Sequence, residues 1–275
     1  MNREDVERIE IELLLEALLR RYGYDFRHYA RASVRRRVRH LLAQRPHDTI
    51  ADLIPRVLHD EDFGRAAIYA FSIAVTEMFR DPEFYQALRE KVVPYLGTYP
   101  FVKAWAAGCA SGEEVYSLAI VLMEEGLYER TTLFATDFND AALRKAEEGI
   151  YSLKDIRQYT ANYQHAGGTR SFADYYHAQY DSVIMDQSLR AHITFANHNL
   201  ATDGVFGEMH VVFCRNVLIY FDRDLQDRVL ALLAGSLNRG GFLCLGNKET
   251  LEYSTVQSQF KVVDAEQRIY QKRAG

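Results

Sequence analysis

Phe101-Val102-Lys103-Ala104-Trp105-Ala106 runs into Ala107-Gly108-Cys109-Ala110-Ser111-Gly112, and then into Glu113-Glu114-Val115-Tyr116-Ser117. The first six residues read as a buried strand and the next six as a loop of small residues. Glu113 to Glu125 has helical periodicity through Val115, Leu118, Ala119 and Leu122. A strand, a glycine-bearing loop and a helix mark the place where doubly wound folds receive nucleotides, because glycines let a ligand approach the N–H groups at the helix start. The spacing is G-x-x-x-G rather than G-x-G-x-x-G, and no Lys-Ser/Thr pair completes a P-loop. Glu113 and Glu114 would repel a pyrophosphate; they suit a ligand with positive charge, an ammonium or a sulfonium. The next strand, Thr132 to Thr136, ends in Asp137, placed to accept from both hydroxyls of a ribose. Together these features predict adenosine joined to a cationic group, hence S-adenosylmethionine. The alternative is a tight turn whose two acids complement the helix dipole.

Downstream the same grammar continues. Ala141 to Glu148 reads as a helix stopped by Gly149, and His210 to Cys214 as a strand. Asp222 to Leu237 is a helix with Asp222 as its N-cap, and Gly240-Gly241 then turns the chain into the strand Phe242 to Leu245. Phe260 to Val263 and Gln267 to Gln271 form a terminal hairpin. The alternation predicts an α/β domain: a mostly parallel sheet covered by helices on both faces. Leu153 to Ile193 breaks the alternation and reads as an inserted subdomain, with Asp181 to Met185 a candidate strand.

Two more strand ends are polar. Cys214-Arg215-Asn216 places two polar side chains at the carboxyl edge of the sheet, with Tyr220 and Phe221 close behind. The alternative pairs Arg215 with an acid and packs Tyr220 in the core. After the strand Ile193 to Ala196 comes Asn197-His198-Asn199-Leu200, where Asn199 is placed to bond an adenine or a ribose.

Upstream, the first seventy residues read as helices: Val6 to Leu19, broken by Gly23; Tyr29 to Leu42; Ile50 to Leu58 after the turn Pro46-His47-Asp48; and Phe63 to Ile73. Asp81-Pro82 punctuates the chain before a helix from Pro82 to Val92. Between Arg27 and Arg45 stand seven arginines and no acid. On a helix Arg31, Arg35 and Arg39 share one face, and Val34, Val38, Leu41 and Leu42 the other. A solvated face and a nucleic-acid patch are the rival readings of this segment.

Composition narrows the function classes. Of 275 residues 48% are hydrophobic and 26% charged, the proportions of an ordinary globular chain, and the net charge of −5 argues against a dedicated nucleic-acid binder. Three cysteines, with no C-x-x-C spacing, predict no zinc knuckle or disulfide framework and no metal site, and fit a reducing cytoplasm. The charged start, Met1-Asn2-Arg3-Glu4-Asp5, is unlike a secretory signal, and no apolar run approaches the roughly 20 residues of a membrane span. A soluble cytoplasmic protein is expected.

The set Thr76-Glu77-Met78-Phe79-Arg80, Gly108 to Ser117, Ala135-Thr136-Asp137, Asn199-Leu200 and Cys214 to Phe221 resembles the CheR family, chemotaxis-receptor glutamate methyltransferases. Gly23-Tyr24-Asp25-Phe26 to Arg35-Arg36-Arg37 resembles that family's small helical domain. The resemblance implies a class I (Rossmann-like) methyltransferase domain over 99–275, an N-terminal all-helical domain over 1–73, and a linker and helix over 74–98 carrying part of the cofactor site. A small antiparallel β-subdomain would be inserted at 154–193. It implies that Thr76, Arg80, Glu114, Asp137, Asn199, Leu200, Arg215 and Asn216 contact S-adenosylmethionine, with Glu113 beside them. Arg80 and Tyr220 would stand at the methyl-transfer locus.

The family often carries Asn where Ala74 stands, Pro where Val115 stands, and Gly-His-Ser-Glu where this chain has Gly246-Asn247-Lys248-Glu249. The acceptor implied is a glutamate carboxylate of a chemoreceptor. A carboxylate with pKa about 4.3 is already ionised at neutral pH, so no general base is expected. Arg31, Arg35, Arg36 and Arg39 would dock the acidic cytoplasmic helices of methyl-accepting receptors. The candidate turn of the insertion, Tyr176 to Asp181, has no glycine, which resembles members that use no C-terminal peptide tether. A monomer without membrane insertion or nucleic acid completes the expectation. Its rivals are a methyltransferase with another acceptor and a signalling module that binds S-adenosylmethionine without turnover.

Overall fold

In the computed structural model, residues 2–43, 49–71 and 76–274 are described. The Pro46-His47-Asp48 turn, Arg45 and the Ala74 departure lie outside them. The chain divides into two compact units, Met1–Ile73 with Ile219–Arg228, and Ala74–Leu218 with Val229–Gly275. By this grouping the described residues 76–98 go with the second unit and 219–228 with the first.

The first unit holds α1 (Arg3–Tyr22), α2 (Arg31–Ala43), α3 (Ile50–His59) and α4 (Glu61–Phe71). Helix α1 begins at a capping box, where the Asp5 N–H donates to the Asn2 side chain and the Asn2 N–H to the Asp5 carboxylate. It ends at Gly23, whose φ of 82° is left-handed. Leu14, Leu18, Val38, Leu53, Val57 and Phe71 fill the core. Helix α4 approaches Tyr22 so closely that a Cβ on Gly64 would lie 2.0 Å from the phenol oxygen. The returning segment is stitched in by its backbone. The Ala30 N–H donates to the Tyr220 carbonyl at 2.8 Å, the Asp222 N–H to the His28 carbonyl at 2.8 Å, and Tyr29 pairs with Phe221.

The second unit opens with α5 (Pro82–Lys91) and α6 (Val93–Leu96). It continues through β1 (Val102–Ala107), α7 (Glu113–Glu124), β2 (Thr131–Asp137), α8 (Asp140–Glu148), β3 (Ile150–Ser152), α9 (Ile156–His165), β4 (Tyr176–Gln179), β5 (Ser182–Met185), β6 (Ile193–Asn197) and β7 (Met209–Cys214). After α10 (Arg223–Gly235) come β8 (Leu237–Leu245), β9 (Phe260–Asp264) and β10 (Ile269–Lys272). Among the described residues the main sheet has the order β6-β2-β1-β7-β8-β10-β9. The pairs from β6 to β8 are parallel, and β10 pairs antiparallel with both β8 and β9. Strand β1 therefore stands where the strand order reverses, the crevice that receives ligands in such sheets. No helix among the described residues is long and apolar enough to cross a membrane.

Three expectations are corrected. Gly240-Gly241 does not turn the chain into a strand. Strand β8 begins at Leu237 and absorbs both glycines as an irregularity against β7, with Gly240 at φ 77°. The insertion's sheet, ordered β3-β5-β4, starts at Ile150, before the expected 154, and the insertion also carries helix α9. The expected turn at Tyr176 to Asp181 is mostly strand β4; Gln179 pairs with Ser182, leaving Tyr180-Asp181 as a two-residue turn with Tyr180 at φ 54°.

Candidate functional site

The loop after β1 is built to bring the ends of three strands together. The Gly108 and Cys109 N–H groups both donate to the Thr136 carbonyl of β2, at 2.8 and 2.9 Å. Gly108, at φ 76°, lies so close to Val217 after β7 that a Cβ would sit 2.7 Å from its methyl group. Gly112, at φ 91°, opens α7 with Glu113 and Glu114 in the first turn.

Arg215, directly after β7, is the centre of the cluster. One nitrogen donates to Glu114 at 2.8 Å; the other donates to Asp81 at 2.9 Å and to the Arg80 carbonyl at 3.3 Å. Its guanidinium lies over the Phe84 ring, and its side chain is 1% exposed. Burial works against the charge, but Glu114, Tyr85 and Asp81 outweigh it and hold Arg215 above the usual arginine range. Its Nε is buried without a partner among the described residues. Burial pushes the Glu114 pKa up, against the pull of Arg215 and, behind it, of a second cation, Arg80. Arg80, Glu114 and Arg215 are thus brought together, and Asp81, which sequence reasoning passed over as punctuation, joins them.

Asp137 has a different setting from the one expected. Its two oxygens accept from the Ala110 and Asn139 N–H groups, each at 2.9 Å, so the carboxylate already organises the loop after β1. Burial pushes its pKa up, against the pull of the Asn139, Ala110 and Phe138 N–H groups. Glu113 turns back on its own loop, where its carboxylate accepts from the Ser111 hydroxyl at 2.7 Å and burial raises its pKa. Asn199 spends its side-chain oxygen on the Ala201 N–H at 3.0 Å; Leu200 is buried, and Thr76 is half-buried.

Asn216 adopts φ 61° and is held by Glu249. This buried carboxylate accepts from the Asn216 N–H at 3.0 Å, the Leu218 N–H at 2.7 Å and the Gly246 N–H at 2.6 Å. A Cβ on Gly246 would meet Asn216 N and Glu249 Oε2, both at 2.8 Å. Sequence reasoning noted Glu249 only within a motif departure; a lone acid three residues after a glycine at a strand end was the available signal.

Two groups lie in the first unit. Tyr220 is half-buried, with the Arg37 guanidinium 5.8 Å from its ring centroid. On α2, Arg31, Arg35, Arg36 and Arg39 line a common hollow. Arg35 and Arg39 are not free, however: both pair with Glu7 of α1, at 2.6 and 3.6 Å. Arg37, one of the seven arginines, is buried and donates to the Ala70 carbonyl at 2.8 Å.

The family described as "CheR methyltransferase, SAM binding domain" matches residues 74–269, and "CheR methyltransferase, all-alpha domain" matches residues 9–72. A Pseudomonas putida protein described as putative methyltransferase Cher3 is 52% identical over 264 residues, 96% of this chain and 97% of its own. The chemotaxis protein methyltransferase of Klebsiella aerogenes is 32% identical over 71% of this chain and 66% of its own. Chemotaxis protein methyltransferase 1 of Vibrio cholerae is 29% identical over 79% of this chain and 80% of its own.

Proposed function

Since the chain belongs to the CheR methyltransferase family and its cofactor is S-adenosylmethionine, we propose that it methylates glutamate side-chain carboxylates of a chemoreceptor-type signalling protein, giving glutamate methyl ester and S-adenosylhomocysteine. The observation that carries this reading is the buried Arg215 bridging Glu114 and Asp81 at the reversal point of the sheet. The donor set suits a cofactor with an amino-acid end: carboxylates for an ammonium, guanidinium groups for a carboxylate, and one buried guanidinium nitrogen unpartnered among the described residues. Glu114, Asp81, Arg80 and Arg215 would hold that end, with Thr76, Asp137, Asn199, Leu200 and Asn216 around the nucleoside. In this reading Asp137 reaches the ribose with lone pairs left over from its backbone bonds, and Glu113 shapes the loop rather than touching the ligand.

When bound, S-adenosylmethionine supplies an electrophilic methyl carbon on a positively charged sulfur. The protein's task is then orientation and exclusion of water, which can contribute on the order of 7–11 kcal/mol. Arg80 steers the acceptor carboxylate, and Tyr220 is the second residue that the family resemblance assigns to the transfer step. No base is required, because the acceptor is already ionised. The α2 arginines draw in acidic receptor helices in the cytoplasm. We read the protein as a monomer, and the Tyr180-Asp181 turn, which has no glycine, supports a reading without a peptide tether.

The test is transfer of labelled methyl to receptor-containing membranes, read as base-labile methanol release. Tyr220→Phe should lower kcat and leave S-adenosylhomocysteine affinity intact, because only a hydroxyl is removed. Cofactor binding without any incorporation would favour a binding module, and base-stable incorporation a different acceptor group.

A further inference from the structure

We propose that Asn162, inside the insertion, is a positioning residue that fixes the Thr76–Arg80 segment and, through it, the Arg80 guanidinium. The inference rests on the reading of Arg80 given above. Its basis is a single peptide group. The Met78 carbonyl and the Phe79 N–H belong to one plane, and each end is held from a different element. The Asn162 side-chain N–H donates to the Met78 carbonyl at 3.0 Å, and the Phe79 N–H donates to the Ser117 hydroxyl at 2.9 Å. Ser117 is itself fixed on α7 by donating to the Glu113 carbonyl at 2.7 Å.

Holding this plane constrains the N-terminal side of the Phe79 N–Cα bond, about which φ is 53°. Asp81 follows at φ 57°, so two left-handed non-glycine residues flank Arg80. Such a backbone persists only where its surroundings impose it. The surroundings here come largely from the insertion. The Phe79 ring packs on Tyr163 of α9 at 5.2 Å and on Phe172 at 6.2 Å. Asn162 is buried, and its oxygen accepts from the Gln158 amide at 2.8 Å, which fixes which end of its own amide faces Met78. Helix α9 and the chain after it are anchored in turn by Glu124 of α7, whose carboxylate takes the Tyr163 and Tyr175 hydroxyls, the Thr169 N–H and Arg89 of α5. The insertion thereby reaches the residue next but one before Arg80 through one amide.

If Asn162 acts through Arg80, its loss and the loss of Arg80 are not independent. The experiment measures S-adenosylhomocysteine affinity by calorimetry, together with kcat and acceptor KM, for Asn162→Ala, Arg80→Ala and the double variant. Asn162→Asp, of unchanged shape but without the donor, serves if the alanine variant does not fold. Val183→Ala, in the insertion's sheet and away from the segment, controls for destabilisation alone. Asn162→Ala should lower kcat by about 10- to 100-fold with acceptor KM unchanged, as misplacement of a reacting group does. The double variant should be no worse than Arg80→Ala in either affinity or kcat. Multiplying effects, or a loss no larger than in a Val183→Ala protein of equal stability, would overturn the proposal. A normal Arg80→Ala enzyme would overturn the reading of Arg80 and the proposal with it. An impaired Arg80→Ala beside a normal Asn162→Ala would overturn the proposal alone.

Discussion

The guanidinium carbon of Arg215 lies 3.9 Å from the centroid of the Phe84 ring, while its two terminal nitrogens reach Glu114 and Asp81 on separate elements. Only a planar, forked cation can stack on a ring and bridge two carboxylates at once. Arg215→Met leaves those two carboxylates without their buried counter-charge, and stability should fall by about 3–5 kcal/mol. Arg215→Lys keeps the charge but serves one acid at a time, so it should be less destabilised and still fail to restore cofactor affinity. Denaturant titration and calorimetry with S-adenosylhomocysteine check both; full affinity in the lysine variant would mean that the fork is dispensable.

Glu249 predicts a second loss. Its carboxylate gathers the N–H groups of Asn216, Leu218 and Gly246, and a carboxamide can offer only one oxygen to them. Each bond to a charged acceptor contributes about 1.5–3 kcal/mol, so Glu249→Gln should lose stability of that order. Affinity for S-adenosylhomocysteine should fall in parallel, because the left-handed Asn216 depends on the same clamp. Unchanged affinity in a destabilised protein would separate Asn216 from the cofactor.

These two residues show how the sequence could be read and where it could not. The unit from Val102 to Glu124 was legible because its apolar strand, small-residue loop and helix are local patterns whose period identifies them. The Arg215-Asn216 strand end was legible for the same reason. Asp81 was not, because its partner stands 134 positions later, and Glu249 was not, because it acts on N–H groups from a loop more than thirty residues earlier. Asp137 is expected at the site from its strand end alone, while its backbone bonds to Ala110 and Asn139 were invisible. Strand β8 was misjudged at Gly240-Gly241, since a bulge and a turn use the same residues and only the partner strand distinguishes them. The insertion was recognised by its failure to fit, but the role of α9 was hidden, because Asn162 meets Met78 across 84 positions.

Acid should act on the insertion's anchor. Burial pushes the Glu124 pKa up, but the Tyr163 and Arg89 side chains and the Thr169 N–H outweigh it, and the net direction is below the ordinary value of 4.5. A carboxyl lowered on folding stabilises the native state above its unfolded pKa, and this contribution disappears as pH falls through the folded one. Glu124→Gln should therefore be less stable than the wild type at pH 7, and the gap should close as pH falls below about 4.5. Urea midpoints across that window are the measurement; a gap independent of pH would show that shape, not charge, anchors the insertion.

The α2 arginines require a more selective test than reversal of the whole face. Arg35 and Arg39 already hold Glu7, so acids at those positions would repel α1 and confuse docking with local unfolding. Arg31 and Arg36 make no ion pair among the described residues and line the same hollow. Single exposed pairs contribute only about 0–1 kcal/mol, so either substitution alone should do little. Arg31→Glu with Arg36→Glu reverses the local field and should raise the receptor KM by about tenfold, the equivalent of about 1.4 kcal/mol. High salt should reproduce the effect in the wild type, because the screening length shrinks to about 3 Å at 1 M. Affinity for S-adenosylhomocysteine should stay at its wild-type value, since no residue read as holding it lies on α2. Methylation kinetics on receptor membranes, with the melting temperature as a check on folding, decide the matter: a folded double variant with wild-type KM would make this face a solvated surface.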